Sequence, residues 1–320
     1  MKAGTAGSKW RCALVAVAMA AGVTAAVPGV ASATNPGRNG LIAFEANGSQ
    51  GGGFSVVGPD GSAPREIYRD GMEPSEPAWS PNGRELAMSL FCGGQCAIAL
   101  NTATWAGSVL GSPTRWAGGP VSQGPEVPPT ATMWTNASWS PSGQQIVVGE
   151  RSGLWVVERP TVGSDGTLVR RQRQLTNGTT DSEPAWSPDG REIAFTRCSA
   201  PGKCGIYAVS PTAVAGSPVR AVTDDRSNHH DANWAPDSSR IAFEIGTPRG
   251  TGKGIWTIRR DGRDWRQVHG SGYEPTYSPD GTRIALTKGS GLYTVKVDGT
   301  GLRLIAAGAE SKNPDWQPLR

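Results

Sequence analysis

The chain has 320 residues, with 31 lysine and arginine side chains against 27 aspartate and glutamate side chains. Three of the basic residues lie in the first 33 positions, and without that segment the balance is 28 to 27. A near-neutral chain has no general attraction for phosphate backbones, which argues against nucleic-acid binding. The remaining length of about 287 residues suits one large domain or two small ones.

Residues 1–33 have the features of a signal peptide. Three basic side chains precede an apolar stretch, and Ala31-Ser32-Ala33 supplies the small residues that a signal peptidase accepts. The apolar stretch has about 15 residues, fewer than the ~20 that a membrane-spanning helix needs. We therefore expect cleavage after Ala33 and a secreted or cell-envelope protein with no membrane span.

One aromatic motif recurs through the rest of the chain. Its copies centre on Trp79, Trp139, Trp186, Trp234, Tyr277 and Trp316, separated by 60, 47, 48, 43 and 39 residues. This period is typical of propeller blades, each a sheet of four strands. Residues 34–320 are therefore predicted to form an all-β, six-bladed β-propeller of four-stranded antiparallel blades.

The copy at residues 181–198, DSEPAWSPDGREIAFTRC, shows how each repeat begins. Its segment Ser187-Pro188-Asp189-Gly190 predicts a type I turn, because Pro fixes φ, Asp favours the turn and Gly relieves the exit. Short apolar segments flank this turn and predict a hairpin. Later alternating segments, such as GIYAVS, supply the remaining strands of the blade.

The two ends of the chain complement each other. The segment starting NGLIAFEANG contains the second, third and fourth strands of a blade, but no aromatic strand precedes them. The last residues, NPDWQPLR, supply that strand and little else. We predict that the two segments pair in one blade and close the ring, which removes exposed sheet edges.

At these residues the chain resembles the TolB-like, WD40-like six-bladed propellers. The resemblance rests on EPAWSPDGREIAF with its later Asp-Gly turn and RQLT, and it covers residues 40 to 318. It implies a fold rather than an activity, because the motif residues build the blade. The α/β domain that precedes the propeller of TolB is not seen, which puts TolB's envelope role in doubt. Propellers fused to serine peptidases are also similar, but the chain has no G-x-S-x-G motif.

A carboxylate or an amide lies three residues before each repeated aromatic. These residues are Glu76, Asn136, Glu183, Asp231, Glu274 and Asn313. Propeller symmetry would bring them to one end of the central channel, where their oxygens suit a divalent cation such as Ca²⁺. The alternative is that they accept hydrogen bonds from backbone N–H groups and lock the blades. Spacing alone does not decide between the two.

His229 and His230 precede the repeat at Trp234, where a loop should descend to the innermost strand. They are either a solvated loop pair or a ligand-binding or acid–base group at the channel mouth.

Residues 101–133 are rich in Gly, Pro, Ser and Thr and predict an outer strand with a loop insertion. Trp105, Trp116 and Trp134 lie in or beside this segment. They form either an exposed stacking platform for sugar or peptide, or rings that pack the loop onto the propeller.

Two cysteine pairs, Cys92 with Cys96 and Cys198 with Cys204, follow their blade aromatics by about a dozen residues. Equivalent places in blades two apart predict two local disulfides, which suits an oxidising compartment. A single four-cysteine zinc site would require the two loops to meet across the ring.

Two functional classes remain. The first is a monomeric, exported, non-catalytic scaffold that binds a protein or glycan at its loop face or channel mouth. The alternative is a metal-dependent propeller enzyme, a lyase or hydrolase, that uses the acidic channel rim. The spacing of His and carboxylates lacks the density that would favour an enzyme.

Overall fold

The computed structural model describes residues 34–48, 51–68, 73–91, 99–117, 134–246, 253–308 and 312–320. All regular elements named in these ranges are β-strands, so the all-β class is confirmed. They are β1 (Arg38–Gly48), β2 (Gly51–Val57), β3 (Arg65–Tyr68), β4 (Glu73–Trp79), β5 (Glu85–Phe91), β6 (Ala99–Thr104), β7 (Thr114–Ala117), β8 (Thr135–Trp139), β9 (Gln145–Glu150), β10 (Gly153–Glu158), β11 (Thr161–Val162), β12 (Leu168–Val169), β13 (Gln172–Gln174), β14 (Ser182–Trp186), β15 (Ile193–Ala200), β16 (Lys203–Val209), β17 (Arg220–Ala221), β18 (Asn228–Trp234), β19 (Arg240–Gly246), β20 (Gly254–Arg259), β21 (Arg266–His269), β22 (Tyr273–Tyr277), β23 (Arg283–Lys288), β24 (Gly291–Lys296), β25 (Arg303–Ala306) and β26 (Lys312–Leu319). The predicted signal peptide and residues 118–133 of the predicted insertion lie outside the described residues.

The strands form antiparallel sheets that follow the sequence repeat. Four sheets have the strand orders β26-β1-β2-β3, β4-β5-β6-β7, β8-β9-β10-β13 and β22-β23-β24-β25. Two further sets, β14-β15-β16-β17 and β18-β19-β20-β21, are joined by a parallel bridge between Cys204 and Asn228. The hairpin β11-β12 is a separate addition between β10 and β13.

The two ends of the chain share one sheet. β1 pairs antiparallel with β26, with Arg38 opposite Leu319 and Ile42 opposite Trp316. The first strands of the sheets also contact one another in the order β4, β8, β14, β18, β22 and β26, and β26 contacts β4 in turn. The predicted pairing of the terminal segments is therefore present, and the contacts between sheets return to their starting strand.

The turn after each repeated aromatic has the predicted chemistry. The N–H of Gly190 donates to the carbonyl of Ser187 at 2.9 Å, and Gly190 has a φ of 73°. The Ser187 hydroxyl donates to Asp189 Oδ1 at 2.7 Å, while the same carboxylate oxygen accepts from the N–H of Arg191. A side chain thus satisfies the backbone of the turn, as short polar residues commonly do.

The repeated tryptophans hold neighbouring sheets together. Trp139 and Trp234 are buried, and their indole N–H groups donate to the carbonyls of Ala78 and Ala185 in the preceding sheets at 3.0 and 3.1 Å. In these two copies a large ring also satisfies a buried backbone acceptor, whereas the indole N–H groups of Trp79 and Trp186 are buried without a partner among the described residues. In the described ranges no helix has the length and apolar character needed to cross a membrane.

Each sheet has two distinct ends. The first strand of a sheet runs into the turn described above, at what we call the turn end. Because antiparallel strands alternate in direction, the loops between second and third strands emerge at the opposite end. The connections from each fourth strand to the next first strand emerge there too. The connections between third and fourth strands, among them residues 105–113, 159–171 and 210–219, emerge at the turn end.

Candidate functional site

The residues three positions before the repeated aromatics have an unusual backbone conformation. All six have φ between 51° and 60°, and they are Glu76, Asn136, Glu183, Asp231, Glu274 and Asn313. All six coincide with a register shift between the first and second strands of their sheets. A positive φ is costly for a residue with a side chain, so the surrounding contacts must maintain it. The repeat thus places a polar residue on a bulge at the end opposite the turns.

Three of these carboxylates join one sheet to the next. Glu76 Oε2 accepts from the N–H of Asn136 at 2.5 Å, and Glu183 Oε2 accepts from the N–H of Asp231 at 2.9 Å. Glu274 Oε2 accepts from the N–H of Asn313 at 2.7 Å. In each case the acceptor belongs to one sheet and the donor to the bulge of the following sheet. This is the arrangement expected of the blade-locking interpretation.

Two further carboxylates, on second strands, also accept hydrogen bonds from backbone N–H groups of the next sheet. Glu45 Oε1 accepts from the N–H of Glu76 at 2.6 Å, and Glu244 Oε2 accepts from the N–H of Glu274 at 3.0 Å. We refer to Glu45, Glu76, Glu183, Asp231, Glu244 and Glu274 together as the carboxylate belt. The end of the sheets on which it lies is the belt end.

Five of the six sheets match the bulge residue to the second strand. Where the bulge holds Glu, the second strand offers a hydroxyl that donates to it, as Ser89 does to Glu76 and Thr196 to Glu183. At Asp231 the second strand supplies Glu244 instead. These sheets contribute a carboxylate that reaches the next bulge, whereas the sheet of Asn136 has Gly149 at the second-strand position.

Burial shifts the ionisation of the belt. Desolvation raises the pKa of Glu76, Glu244 and Glu274 from 4.5 to about 7, although hydrogen bonds to each carboxylate oppose the shift. Desolvation also raises the pKa of Glu45, and it raises that of Asp231 well above 3.8. A hydrogen bond with Glu244 and the nearby charges of Glu183, Glu244 and Glu274 add to the desolvation that raises the pKa of Asp231. Carboxyl groups crowded together in a buried site do not all ionise at neutral pH.

His230 lies against the belt. Its Nδ1 is 3.2 Å from Glu183 Oε2, and its side chain is 16 % exposed. Desolvation opposes the charged imidazolium, but the carboxylates of Glu183 and Glu244 outweigh it, so the pKa of His230 is raised above 6.5. His230 is thus a belt-end titratable group with both a carboxylate contact and partial exposure.

His229 has a different environment from the one expected. Both histidines belong to β18 rather than to a loop, so the solvated loop pair is wrong. His229 is 2 % exposed, and its Nδ1 lies 3.0 Å from Thr223 Oγ1 and from the carbonyl of Asp224. Burial lowers its pKa below 6.5. His229 is therefore a core residue with satisfied hydrogen bonds, and it does not offer a surface for a ligand.

The predicted cation site depends on free oxygens at the belt. Among the described residues, no group of three or more His, Cys, Asp or Glu side chains is placed to hold a metal ion. Several of the predicted ligand oxygens instead accept hydrogen bonds from backbone N–H groups. Of the belt atoms, Asp231 Oδ1 is buried without a hydrogen-bond partner. The Ca²⁺ site remains a prediction, and the contacts favour the structural alternative.

The prediction of an exposed stacking surface at Trp105, Trp116 and Trp134 is wrong for two of the three rings. Trp116 and Trp134 are 2 % and 3 % exposed and belong to the core. Trp116 donates its indole N–H to Thr102 Oγ1 at 2.9 Å and meets Trp139 edge to face. Trp105 is partly buried and packs edge to face on Trp79. Trp116 and Trp134 therefore do not form an exposed stacking surface, because their rings fill the space between sheets.

One of the two expected disulfides is present. Cys198 and Cys204 are opposite each other in β15 and β16 and form a disulfide bond. Cys92 and Cys96 lie outside the described residues, so their pairing remains a prediction. The bonded pair closes the hairpin at the belt end, next to the bridge that joins β16 to β18.

Solved structures share this arrangement of sheets. TolB from Acinetobacter baumannii superimposes with a TM-score of 0.66 at 17 % identity, covering 87 % of this chain and 67 % of that one. The fold is that of a TolB-like propeller. A putative TolB from Agrobacterium tumefaciens gives a TM-score of 0.59 at 17 % identity, covering 86 % of this chain and 91 % of that one.

The TolB-like fold also occurs in proteins whose names denote catalysis. Hydrazine synthase from Kuenenia stuttgartiensis matches with a TM-score of 0.65 at 11 % identity, covering 89 % of this chain and 48 % of that one. No family model and no curated protein matches the sequence. At such identities the likeness establishes the fold and leaves the activity open.

Proposed function

We propose that residues 34–320 form a closed, six-bladed TolB-like propeller that acts outside the cytoplasm as a non-catalytic binding scaffold. Its ligand is a protein or a glycan, bound at a loop face or the channel mouth, and we favour the belt end. Closure is supported by the pairing of β1 with β26 and by first-strand contacts that return from β26 to β4. The disulfide between Cys198 and Cys204 supports an oxidising location.

The observation that carries this proposal is the use made of the belt carboxylates. A general acid, a general base or a metal ligand must present its oxygens to a substrate or an ion. Here Glu76, Glu183 and Glu274 direct oxygens to backbone N–H groups of the next sheet, at 2.5 to 2.9 Å. The same residues that would form an acidic catalytic rim are occupied in holding neighbouring sheets together.

The belt end is the binding face that we favour. The connections between second and third strands and those between successive sheets emerge there, and loops on a rigid scaffold commonly carry recognition. The half-buried His230 beside Glu183 adds a titratable group at the same place. Ligand specificity would then depend on loop residues, while the belt and the tryptophans maintain the frame.

Site-specific photo-crosslinking tests where the ligand binds. A photoreactive amino acid is introduced at Ser199 or Arg226, exposed positions at the belt end, and at Asn82 or Gln144, matched exposed positions at the turn end. The protein is expressed in the organism that produces it and then irradiated. We expect covalent adducts from the belt-end positions and none from the two turn-end positions. Adducts found only at Asn82 and Gln144 would place the ligand at the turn end and contradict binding at the belt end.

A metal-dependent enzyme is the second candidate, favoured by the partnerless Asp231 Oδ1 within the belt. Metal analysis of the purified protein, followed by melting curves with and without a chelator, separates it from the scaffold. For a scaffold we expect no stoichiometric metal and the same melting temperature in both buffers. One bound divalent ion per chain, with a lower melting temperature in chelator and in Asp231→Asn, would favour the enzyme instead.

A further inference from the structure

The first described residues of the chain are buried against the first strands of two neighbouring sheets. Thr34 and Asn35 have almost no exposed surface. The Thr34 hydroxyl lies 3.0 Å from the carbonyl oxygen of Tyr277 in β22 and 3.1 Å from Oδ1 of Asn233 in β18. These contacts fix the position of Thr34 between β18 and β22.

Thr34 lies on the side of β22 that faces away from the rest of its sheet. β22 is the edge strand of that sheet and pairs with β23. The N–H of Tyr277 donates to Asn233 Oδ1 at 2.9 Å rather than to β23. Because the N–H and C=O of one strand residue point to the same side, the Tyr277 carbonyl also points away from β23. In the closed ring proposed above, that side is the inner space enclosed by the first strands.

Residues 34–37, which we call the entry segment, reach this inner space from the turn end. The N–H of Gly37 donates at 3.1 Å to the carbonyl of Pro279, in the turn that follows Tyr277. Thr34 instead contacts Tyr277 itself, two residues before Pro279. The entry segment therefore runs from the turn end towards the belt end, and Thr34 is its innermost residue.

The sequence of the entry segment suits this path. Pro36 fixes its own φ and keeps the residue before it extended. Gly37 passes so close to β26 that an added Cβ would lie 2.8 Å from the carbonyl oxygen of Leu319. The close approach explains the glycine at this position, and the short extended segment delivers Thr34 into the inner space.

A buried carboxylate oxygen is unpaired between the same two sheets. Asp231 precedes Asn233 by two residues in β18, which places it about 7 Å along the strand towards the belt end. Its Oδ1 is buried without a hydrogen-bond partner among the residues that the structure describes. Glu244, not Asp231, accepts from the N–H of Glu274 in the next sheet, so the lock between the sheets does not use this oxygen. One acceptor is left for a cationic donor on the side of Thr34.

We propose that cleavage after Ala33 makes the start of the mature chain the internal cation of the carboxylate belt, with the α-ammonium of Thr34 paired to Asp231. Hydrolysis of the Ala33–Thr34 amide consumes one water and leaves a carboxylate on Ala33 and an ammonium on Thr34. The ammonium carries three N–H donors and a charge, which suit a buried carboxylate. Processing thereby adds a contact between the entry segment and β18 that the uncleaved chain lacks, because an amide nitrogen has no charge. This ion pair requires the export and the ring closure proposed above.

The exported protein, purified from the organism that produces it, tests the pairing directly. Mass spectrometry identifies its first residue, and an aldehyde reagent selective for α-amines labels the N-terminus of the folded protein and of the same protein in urea. We expect Thr34 to be the first residue and its labelling to be at least about tenfold slower in the folded protein, because the amine reacts only after the entry segment opens. A mature chain that begins at another residue would overturn the proposal, and so would equal labelling rates.

Two matched carboxyl variants separate the ion pair from a general effect of the belt. Asp231→Asn keeps the size of the side chain but removes its charge, so labelling of Thr34 in the folded protein should become at least about fivefold faster. Glu274→Gln removes a carboxyl group from the neighbouring first strand without changing the proposed partner, and it should leave the labelling rate as in the wild type. Urea unfolding confirms that both variants are folded. Equal effects of the two variants, or no effect of folded Asp231→Asn, would contradict the pairing.

Ligand binding at the belt end is measured independently by the photo-crosslinking experiment described above. Belt-end adducts in a protein whose Thr34 is labelled at the unfolded rate would reject the ion pair and leave the binding scaffold standing. Slow labelling of Thr34 together with adducts only at the turn end would support the ion pair and reject the belt-end binding face.

Discussion

Raising the pH from 5 to 8 is expected to lower the free energy of unfolding of this protein. Desolvation in the belt raises the pKa of Glu76, Glu244 and Glu274 from 4.5 to about 7. The folded chain therefore keeps protons that the unfolded chain has released between these values. Stability carried by such a group is complete below the unfolded pKa and is lost as the pH rises through the folded pKa.

The size of the effect follows from the shifts. One pKa unit corresponds to about 1.4 kcal/mol, so a single carboxyl shifted this far lowers the free energy of unfolding by up to about 3 kcal/mol across the interval. His230 adds to the trend, since its raised pKa gives stability that is lost above its folded pKa. His229 opposes it, because its lowered pKa gives stability that is lost as the pH falls.

The turn aspartates titrate in a different range. Hydrogen bonds from Ser187 and Arg191 outweigh the desolvation of Asp189 and lower its pKa below 3.8, and Asp280 behaves alike. Stability from these groups is present above the ordinary pKa and is lost below it. The interval between pH 5 and 8 therefore isolates the belt from the turns.

Urea unfolding at pH 5, 6, 7 and 8 measures this slope. The double variant Glu76→Gln with Glu274→Gln keeps side-chain acceptors but removes two protons from the titration, so its slope should be shallower. Asp189→Asn serves as the control and should leave the slope unchanged between pH 5 and 8. A wild-type protein whose stability is flat or rises over this interval would contradict the protonated belt.

Much of the fold could be predicted from the sequence because the turns and strands of each repeat depend on residues that are close in sequence. A turn such as Ser187–Gly190 depends on neighbours within five residues, and the structure contains the predicted hydrogen bonds. The pairing of the chain ends was predictable for the same reason, since one end lacked the strand that the other supplied. The equivalent places of Cys198 and Cys204 were also sufficient to predict their bond.

The belt was only half predictable, because its carboxylates come from two positions of the repeat. Glu76 and Glu183 share the first-strand position, but Glu45 and Glu244 lie on second strands where other copies have Ser, Thr or Gly. The signal was present as a pairing in five of the six copies: Glu goes with a hydroxyl, and Asp231 and Asn313 go with Glu, whereas the copy at Asn136 has Gly149. Aligning one position at a time does not reveal it.

The predictions for the tryptophans and His229 were wrong for another reason. A tryptophan in a Gly- and Pro-rich segment has no local feature that distinguishes an exposed ring from a buried one. Trp116 is buried because it meets Trp139 from the neighbouring sheet, which no spacing within its own segment records. His229 likewise packs on Phe243 and Trp265 across its sheet. Such contacts depend on how neighbouring strands and sheets face each other.

Truncating Glu183 to alanine should cause the largest loss of stability among single belt variants. Glu183 is fully buried and serves three partners, namely the hydroxyl of Thr196 at 2.6 Å, the N–H of Asp231 at 2.9 Å and Nδ1 of His230 at 3.2 Å. Removing it leaves a buried donor, a strained bulge and a histidine without its carboxylate. Losing one member of a buried, hydrogen-bonded charge pair costs about 3 to 5 kcal/mol.

Glu85→Ala provides the matched control at the opposite end of the sheets. Glu85 also forms an ion pair between sheets, with Arg159 at 2.8 Å, but its side chain is 21 % exposed and that of Arg159 is 33 % exposed. Exposed pairs of this kind contribute about 1 kcal/mol or less. Glu183→Gln should fall between the two, since the amide oxygen still accepts from Asp231 while the charge beside His230 is gone.

Chemical denaturation of the three variants at pH 6 ranks these losses, and the rank separates two roles for the belt. If the belt holds the sheets together, Glu183→Ala must lose several times more stability than Glu85→Ala, with Glu183→Gln in between. Equal losses for Glu183→Ala and Glu85→Ala would mean that the N–H of Asp231 is satisfied in some other way. Glu183 would then be free for a ligand. The belt would be better explained as a cation site than as a set of contacts that hold the sheets together.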